Sequence, residues 1–390
     1  MYDGPAQADS FEFEKTKDPS LGYIPGDRLI KAIDYTENLK SSYASARFAM
    51  VWSERGPIFD SVGPSNGNTR GGGGYTSGRM RAILVDTLND PTGNTVILGG
   101  VAGGIWKCTN FLSANPNWQK ANDYFDNLAI GSICQDPSDP AIIYFSTGEP
   151  VANADALVGA GIWKSTDRGN TWTRIPATAT LFGRTFKIQC DATGNVYVAS
   201  RSTAAPFVST SGLYRSNNKG LTWTNITPTG LTSINLICTD IEISSTGKLH
   251  ASFGYNTGGT STVNYRYTTN PATVTSTTGW NTGTGLHVSA VSVIRMELAA
   301  LGDVLYAVTI NSAANVDSCY KSIDGGATWT KQNTVVYLTG LGSGQGWYAV
   351  TLAINPANSN EFMVGGLDAY RSTNSGQTIS IVTNWVSALP

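Results

Sequence analysis

The 390-residue chain carries 26 basic and 28 acidic side chains for a net charge of −2, and only 14% of its residues are charged, against about a quarter in an average soluble protein. There is no basic stripe, so the electrostatic footprint of a nucleic-acid binder is missing, and no apolar run of about 18 residues is available to span a bilayer. Forty-three glycines, with abundant Ser, Thr and Asn, describe an all-β extracellular chain rich in turns.

Met1 is not followed by an apolar signal segment, as expected of a mature chain or one whose signal has been removed. From Asp27 to Ser41, Leu29, Ile30, Ile33 and Leu39 recur at near-helical spacing, after Pro25-Gly26 and with Asp27 able to cap. Residues 1–48 therefore read as an extended arm with one short helix, draped on a second domain at 49–390. Ala49 to Ile58 reads as a single strand with no partner upstream.

Within the larger domain an octet recurs: Ser-x-Asp-x-Gly-x-Thr-Trp. Its copies carry Ser165, Asp167, Gly169 and Trp172; Ser216, Asn218, Gly220 and Trp223; Ser322, Asp324, Gly326 and Trp329; and Ser372, Asn374 and Gly376, the last with Ile379 where Trp is expected. An aromatic-basic pair precedes each copy, as in Trp163-Lys164 and Tyr214-Arg215. Two weaker copies begin at Trp106-Lys107 and Tyr265. The basic position falls at 107, 164, 215, 267, 321 and 371, spacings of 57, 51, 52, 54 and 50 residues. That is near the period of roughly 40–50 residues of a four-stranded propeller blade.

The octet suits a tight hairpin turn. Its Asp or Asn side chain accepts hydrogen bonds from turn N–H groups, its Gly takes positive φ, and its Trp starts the returning strand and packs under the turn. Upstream of each copy lie two further strands; in the third unit these are Phe186 to Cys190 and Asn195 to Ser200. Six complete blades are expected between about Gly78 and Trp385. Ala49 to Ile58 is left over as a closing strand: either the ring has six blades with this strand added, or, the favoured reading, it has seven, with the last blade incomplete or beyond residue 390.

Five cysteines (Cys108, Cys134, Cys190, Cys238, Cys319) and two histidines (His250, His287) offer no C-x-x-C pair and no zinc set, so neither metal nor cofactor is expected. The cysteines sit mostly in predicted strands as small hydrophobes, and their odd number leaves at least one thiol free if bridges form.

The octet resembles the Asp box, the repeat of bacterial neuraminidases, sortilin-type propellers and xyloglucanases. That resemblance implies that the turn joins the third and fourth strands of a blade, at the rim and away from any ligand. The glycine-rich stretch Gly71 to Gly78, followed by Gly99 to Lys107, resembles the first blade of xyloglucanases. In that family a catalytic Asp stands two residues before a Gly-Gly pair; here the position is Val101, which moves no proton, and glycoside hydrolysis needs two carboxyl groups across one bond. Arg174-Ile175-Pro176 matches the sialidase signature but follows an octet, on an outer strand, out of its structural context.

Trp52, Gly56-Pro57, Gly78-Arg79, Gly103 to Lys107 and Ser146 to Glu149 also resemble large secreted propellers of Bacteroidetes. Such proteins commonly continue into a signal for type IX secretion. Together these resemblances imply a secreted or cell-surface, non-catalytic propeller that binds a glycan or a surface protein. The alternatives are a xyloglucanase-like hydrolase, and an accessory subunit of a larger extracellular assembly, as in the photosystem assembly-factor propeller. The secretion machinery is a further expected partner.

Propeller geometry puts a site at the central channel or one mouth. Candidates there are Arg79, Arg81, Glu149, Asp155, Arg184, Asp240, Gln345, Trp347 and Asp368, with Trp347 able to stack on a sugar ring. Glu149 and the arginines would equally serve as ion pairs lining the channel.

Overall fold

The structure, a computed structural model, describes residues 78–151, 156–201, 211–231, 236–255, 263–286, 293–332 and 344–383, with scattered positions between 10 and 39. Two compact units are present: residues 1–77 with 124–126, and the remainder.

In the smaller unit, positions 28, 31, 32, 35, 36, 38 and 39 are helical, in the stretch where the apolar spacing predicts a helix. Ser10, Phe11 and residues 13–15 are helical too, which that spacing did not indicate. The strand expected over 49–58 and the glycine run at 71–77 lie outside the described residues.

The larger unit is a β-propeller of six antiparallel blades, each meandering outward in chain order. Blade 1 comprises β1 (Met80–Val85), β2 (Val96–Gly100), β3 (Ile105–Cys108) and β4 (Trp118–Lys120). Blade 2 comprises β5 (Ile130–Gln135), β6 (Ile143–Thr147), β7 (Ile162–Ser165) and β8 (Thr173–Arg174). Blade 3 comprises β9 (Thr185–Cys190), β10 (Val196–Ser200), β11 (Gly212–Ser216) and β12 (Thr224–Asn225).

In blade 4, β13 (Cys238–Ile243), β14 (Leu249–Phe253) and β15 (Asn264–Thr268) form the ladder, and the fourth position is held by a bridge between Tyr267 and Asn281. Blade 5 comprises β16 (Val293–Leu301), β17 (Val304–Asn311), β18 (Val316–Ser322) and β19 (Thr330–Lys331). Blade 6 comprises β20 (Thr351–Asn355), β21 (Asn358–Gly365), β22 (Ala369–Ser372) and β23 (Ser380–Ile381).

The register explains the repeat. Lys107, Lys164, Arg215, Tyr267, Lys321 and Arg371 stand opposite Ile97, Tyr144, Tyr197, His250, Tyr306 and Met363 on the second strands. Tyr267 thus holds the basic residue's place. Where Lys164 and Lys321 lie 6.0 and 5.5 Å over Tyr144 and Tyr306, Tyr267 stacks instead on His250. Second strands such as β6, β10 and β14 are buried throughout, because each has strands on both sides and blades on both faces.

Each octet closes the turn between a blade's third and fourth strands. Ser165 Oγ donates to Asp167 Oδ1 at 2.7 Å and accepts the Gly169 N–H at 2.8 Å, while Thr171 donates its N–H and hydroxyl to the two Asp167 oxygens. In the Asn copies the side-chain bond reverses: Asn218 and Asn374 donate from Nδ2 to the threonine hydroxyls at 2.8 and 2.9 Å. Two successive residues take positive φ, Arg168 (61°) before Gly169 (77°). The sequence pattern marked only the glycine, yet the preceding residue shares its conformation in every full copy: Lys219, Gly325 and Ser375 follow suit.

Apolar clusters fill the spaces between blades. The first strands of successive blades lie side by side around the axis from blade 1 to blade 6. Between blades 6 and 1 the described tie is Tyr348, just before β20: it accepts from Arg79 Nη1 at 2.6 Å and its ring faces the Arg81 guanidinium at 5.1 Å. On the blades flanking this seam, Met80, Ile83, Val85 and Met363 are exposed.

Candidate functional site

Antiparallel meanders put the turns after first and third strands at one end of the ring. Consistent with this, Lys219 in the blade 3 octet meets Asp136 in the β5–β6 turn. The opposite end, where the first strands begin, opens into a cavity of about 820 Å³. Octets and cavity therefore occupy opposite faces.

The cavity wall is built from alternate residues of the first strands. Their outward partners enter the inter-blade cores, so the inward positions are released to polar side chains. Blade 1 contributes Arg79 and Arg81, blade 3 Phe186 and Lys187, blade 4 Asp240, and blade 5 Arg295 and Glu297. Tyr348 and Val350 complete the wall beside blade 6, and Val101 lies on it after β2. The position that the xyloglucanase resemblance assigns to a catalytic Asp thus faces the cavity as a buried valine.

One charge network joins blades 3, 4 and 5. Lys187 Nζ lies 2.8 Å from Asp240 Oδ1 and 2.5 Å from Glu242 Oε1. Asp240 Oδ2 accepts the Leu298 N–H at 2.7 Å, Oδ1 accepts the Ile241 N–H at 2.9 Å, and Gln189 donates to Glu242 at 3.0 Å. Arg295 donates to Glu297 at 2.9 Å and to the Trp347 and Tyr348 carbonyls.

Burial alone would push Lys187 down, but Asp240, Glu242 and Glu297 together hold it above its ordinary range. Burial raises Glu242, and the Asp240 charge adds to the effect against the pull of Lys187. Burial, then the Asp240 charge, pushes Glu297 up to about 7, against the opposing pull of Arg295 and Lys187.

A second network joins blades 1, 2 and 6. Arg81 pairs with the buried Glu149 at 3.1 Å, and Tyr348 Oη donates to the same carboxylate at 3.2 Å. Leu157 N–H reaches its other oxygen at 3.3 Å. Both aromatic rings on the wall carry a guanidinium: Tyr348 those of Arg79 and Arg81 at 5.6 and 5.1 Å, and Phe186 that of Arg295 at 5.7 Å. The Nε–H groups of Arg81 and Arg295 are buried with no acceptor among the described residues.

Of the expected site residues, the structure brings Arg79, Arg81, Glu149 and Asp240 together here. Arg184 lies outside the wall, with Nη2 at 3.5 Å from the Ala156 carbonyl. Gln345 is exposed and accepts at its carbonyl from the Tyr348 and Ala349 N–H groups. Trp347 is half-buried, packing edge-on against Tyr348 and onto the core between blades 5 and 6. Asp368 is buried just past the Gly365 to Leu367 segment that does line the cavity. Asp155 and His287 lie outside the described residues. Arg174 stands 5.9 Å over Trp163 on β8, a packing role away from the cavity.

Sequence reasoning missed Lys187, Glu242, Arg295, Glu297 and Tyr348. A usable signal was present: charged residues at alternate positions of otherwise apolar first strands, as in Asp240-Ile241-Glu242 and Arg295-Met296-Glu297.

No family model matches the chain. A xyloglucanase from a Paenibacillus species is 24% identical over 312 residues, 75% of this chain, and the chain spans about a quarter of that enzyme's length. Among solved structures, an ancestral GH74 enzyme superposes with a TM-score of 0.52 at 17% identity, over 79% of this chain and 38% of that one. YCF48 bound to D1 peptide superposes with a TM-score of 0.50 at 15% identity, over 79% of this chain and 83% of that one. At these identities the structural likeness is one of fold. No helix among the described residues is long and apolar enough to cross a membrane.

Proposed function

We propose that the chain is a non-catalytic binding propeller that takes an acidic, extended protein segment at the cavity mouth. The observation that carries this reading is the exposed Arg79 at the rim of the cavity, set beside Arg81 over the Tyr348 ring. A carboxylate is the acceptor that matches a guanidinium edge.

Two carboxylates of the site, Asp240 and Glu149, support a binding role. Both oxygens of Asp240 and of Glu149 accept hydrogen bonds from the protein itself. A general acid or nucleophile with its oxygens so committed is badly placed to serve a substrate. The rings of Tyr348 and Phe186 are covered by guanidinium groups, which disfavours sugar stacking and leaves charged edges for recognition. YCF48, a propeller of the same fold, is bound to a peptide. The low charge and the wealth of Ser, Thr and Asn support a place outside the cell, on the surface or in a larger assembly.

The xyloglucanase match is the observation that favours a second reading, a glycan ligand. Side-by-side binding assays with acidic peptides and xyloglucan oligosaccharides distinguish the two. Expected are peptide binding that weakens with salt and falls at least about tenfold in Arg79→Ala. Binding also weakens as the pH rises through 7, because ionised Glu297 adds negative charge to the wall. Xyloglucan cleavage by the native protein, or salt-independent binding of a neutral glycan, overturns the proposal.

A further inference from the structure

Two of the five cysteines meet. Cys134 lies next to the end of β5 and Cys190 ends β9, and their Sγ atoms are 3.5 Å apart. Both are 8% exposed, whereas Cys108, Cys238 and Cys319 are each 0% exposed and lie in blades 1, 4 and 5.

Blades 2 and 3 share no backbone ladder. They meet through side chains and through Ser132 Oγ, which accepts the Ile188 N–H at 3.2 Å. The cysteines lie further along the same two strands, packed with Tyr144, Ile188 and Val196. A disulfide needs about 2.05 Å between sulfurs, so each side chain must swing by less than 1 Å. The strands are pinned above this point by the Ser132 bond, which keeps the sulfurs in register.

We propose that Cys134 and Cys190 are an oxidation site, at which a disulfide staples the first strands of blades 2 and 3. The oxidant is a small-molecule disulfide. One thiol loses its proton and attacks a sulfur of the oxidant, releasing one thiolate and leaving a mixed disulfide. The second cysteine loses its proton and attacks the protein-bound sulfur, forming the Cys134–Cys190 bond and releasing the second thiolate. Two protein thiols are oxidised, one small disulfide is reduced to two thiols, and the two protons pass to those products. Burial holds the Cys190 thiol above its ordinary value, so exchange is slow and selects oxidants that reach the edge of the cluster.

The test uses the full chain, equilibrated with glutathione disulfide and then denatured for thiol counting. Reactive thiols should fall from five to three, with one cross-linked peptide pair containing residues 134 and 190. The melting temperature should rise by a few degrees, as expected for a bridge closing a loop of roughly 55 residues, and reductant should reverse the rise. Cys190→Ser should abolish both changes; if it folds poorly, Cys134→Ala serves in its place, and the thiol count of the native chain needs no variant. Five thiols after equilibration, a different cross-linked pair, or glutathione adducts alone overturn the proposal.

Discussion

Lys219 of blade 3 places its ammonium 3.2 Å from the carboxylate of Asp136 in blade 2, an acid that is itself fully buried. The octet turn of one blade thereby clasps the first turn of its neighbour, and Ser138 satisfies the other Asp136 oxygen. Removing the lysine leaves a buried charge with half its partners. Lys219→Met is expected to cost about 1–2 kcal/mol, less than a fully buried pair because Lys219 is partly exposed. Urea denaturation checks this; a midpoint within error of the native chain contradicts the clasp.

The octet tryptophans differ in depth. Trp329 is 5% exposed and donates to the Gly326 carbonyl at 3.1 Å, whereas Trp172 is only partly buried, with its edge on Phe145 at 4.8 Å. Trp329→Ala is expected to cost about 3–5 kcal/mol and Trp172→Ala about 2 kcal/mol. Melting curves showing the reverse order would contradict the packing argument.

At the third octet, Asp324 accepts the Thr328 N–H and hydroxyl at 2.9 and 2.6 Å. Burial works against the charge, but the Thr328 and Ser322 hydrogen bonds outweigh it and hold the carboxyl down at about 2. Asp324→Asn is expected to cost under about 1 kcal/mol, because the amide donates to the threonine as Asn218 does, while Asp324→Ala costs about 1–2 kcal/mol. Stability contributed by the aspartate is present above its unfolded value of 3.8 and is lost as the pH falls towards 2. The Asn variant should lack that acid limb.

Glu297 gives the opposite slope. Its carboxyl rises from 4.5 to about 7 on folding, so between these values the folded chain holds a proton that the unfolded chain has released. This group's contribution is full below 4.5 and declines as the pH climbs through 7. Glu297→Gln should flatten stability between pH 5 and 8 and leave the protein at least as stable at pH 8. An unchanged slope in denaturant titrations would show that another group sets it.

The blades were legible because their turns are local. Ser, Asp or Asn, Gly and Trp each answer a demand made within eight residues, and β10 falls at Val196–Ser200 against the expected Asn195 to Ser200. The site was half legible. Arg81, Glu149 and Asp240 could be named from strand ends, but their partners Tyr348, Lys187 and Leu298 stand at sequence separations of 267, 53 and 58. Only closure of the ring brings such residues together. Trp347 packs partly onto the core between blades 5 and 6, a contact that nothing local in the sequence indicates.

The opposition of octet turns and cavity mouth divides mutational risk in space. Substitutions within an octet disturb the turn that closes its blade, while those at positions of the mouth outside the Tyr348 and Lys187 networks leave the octet turns untouched. A saturation library scored for folding would display that asymmetry as a tolerant disc on an intolerant base.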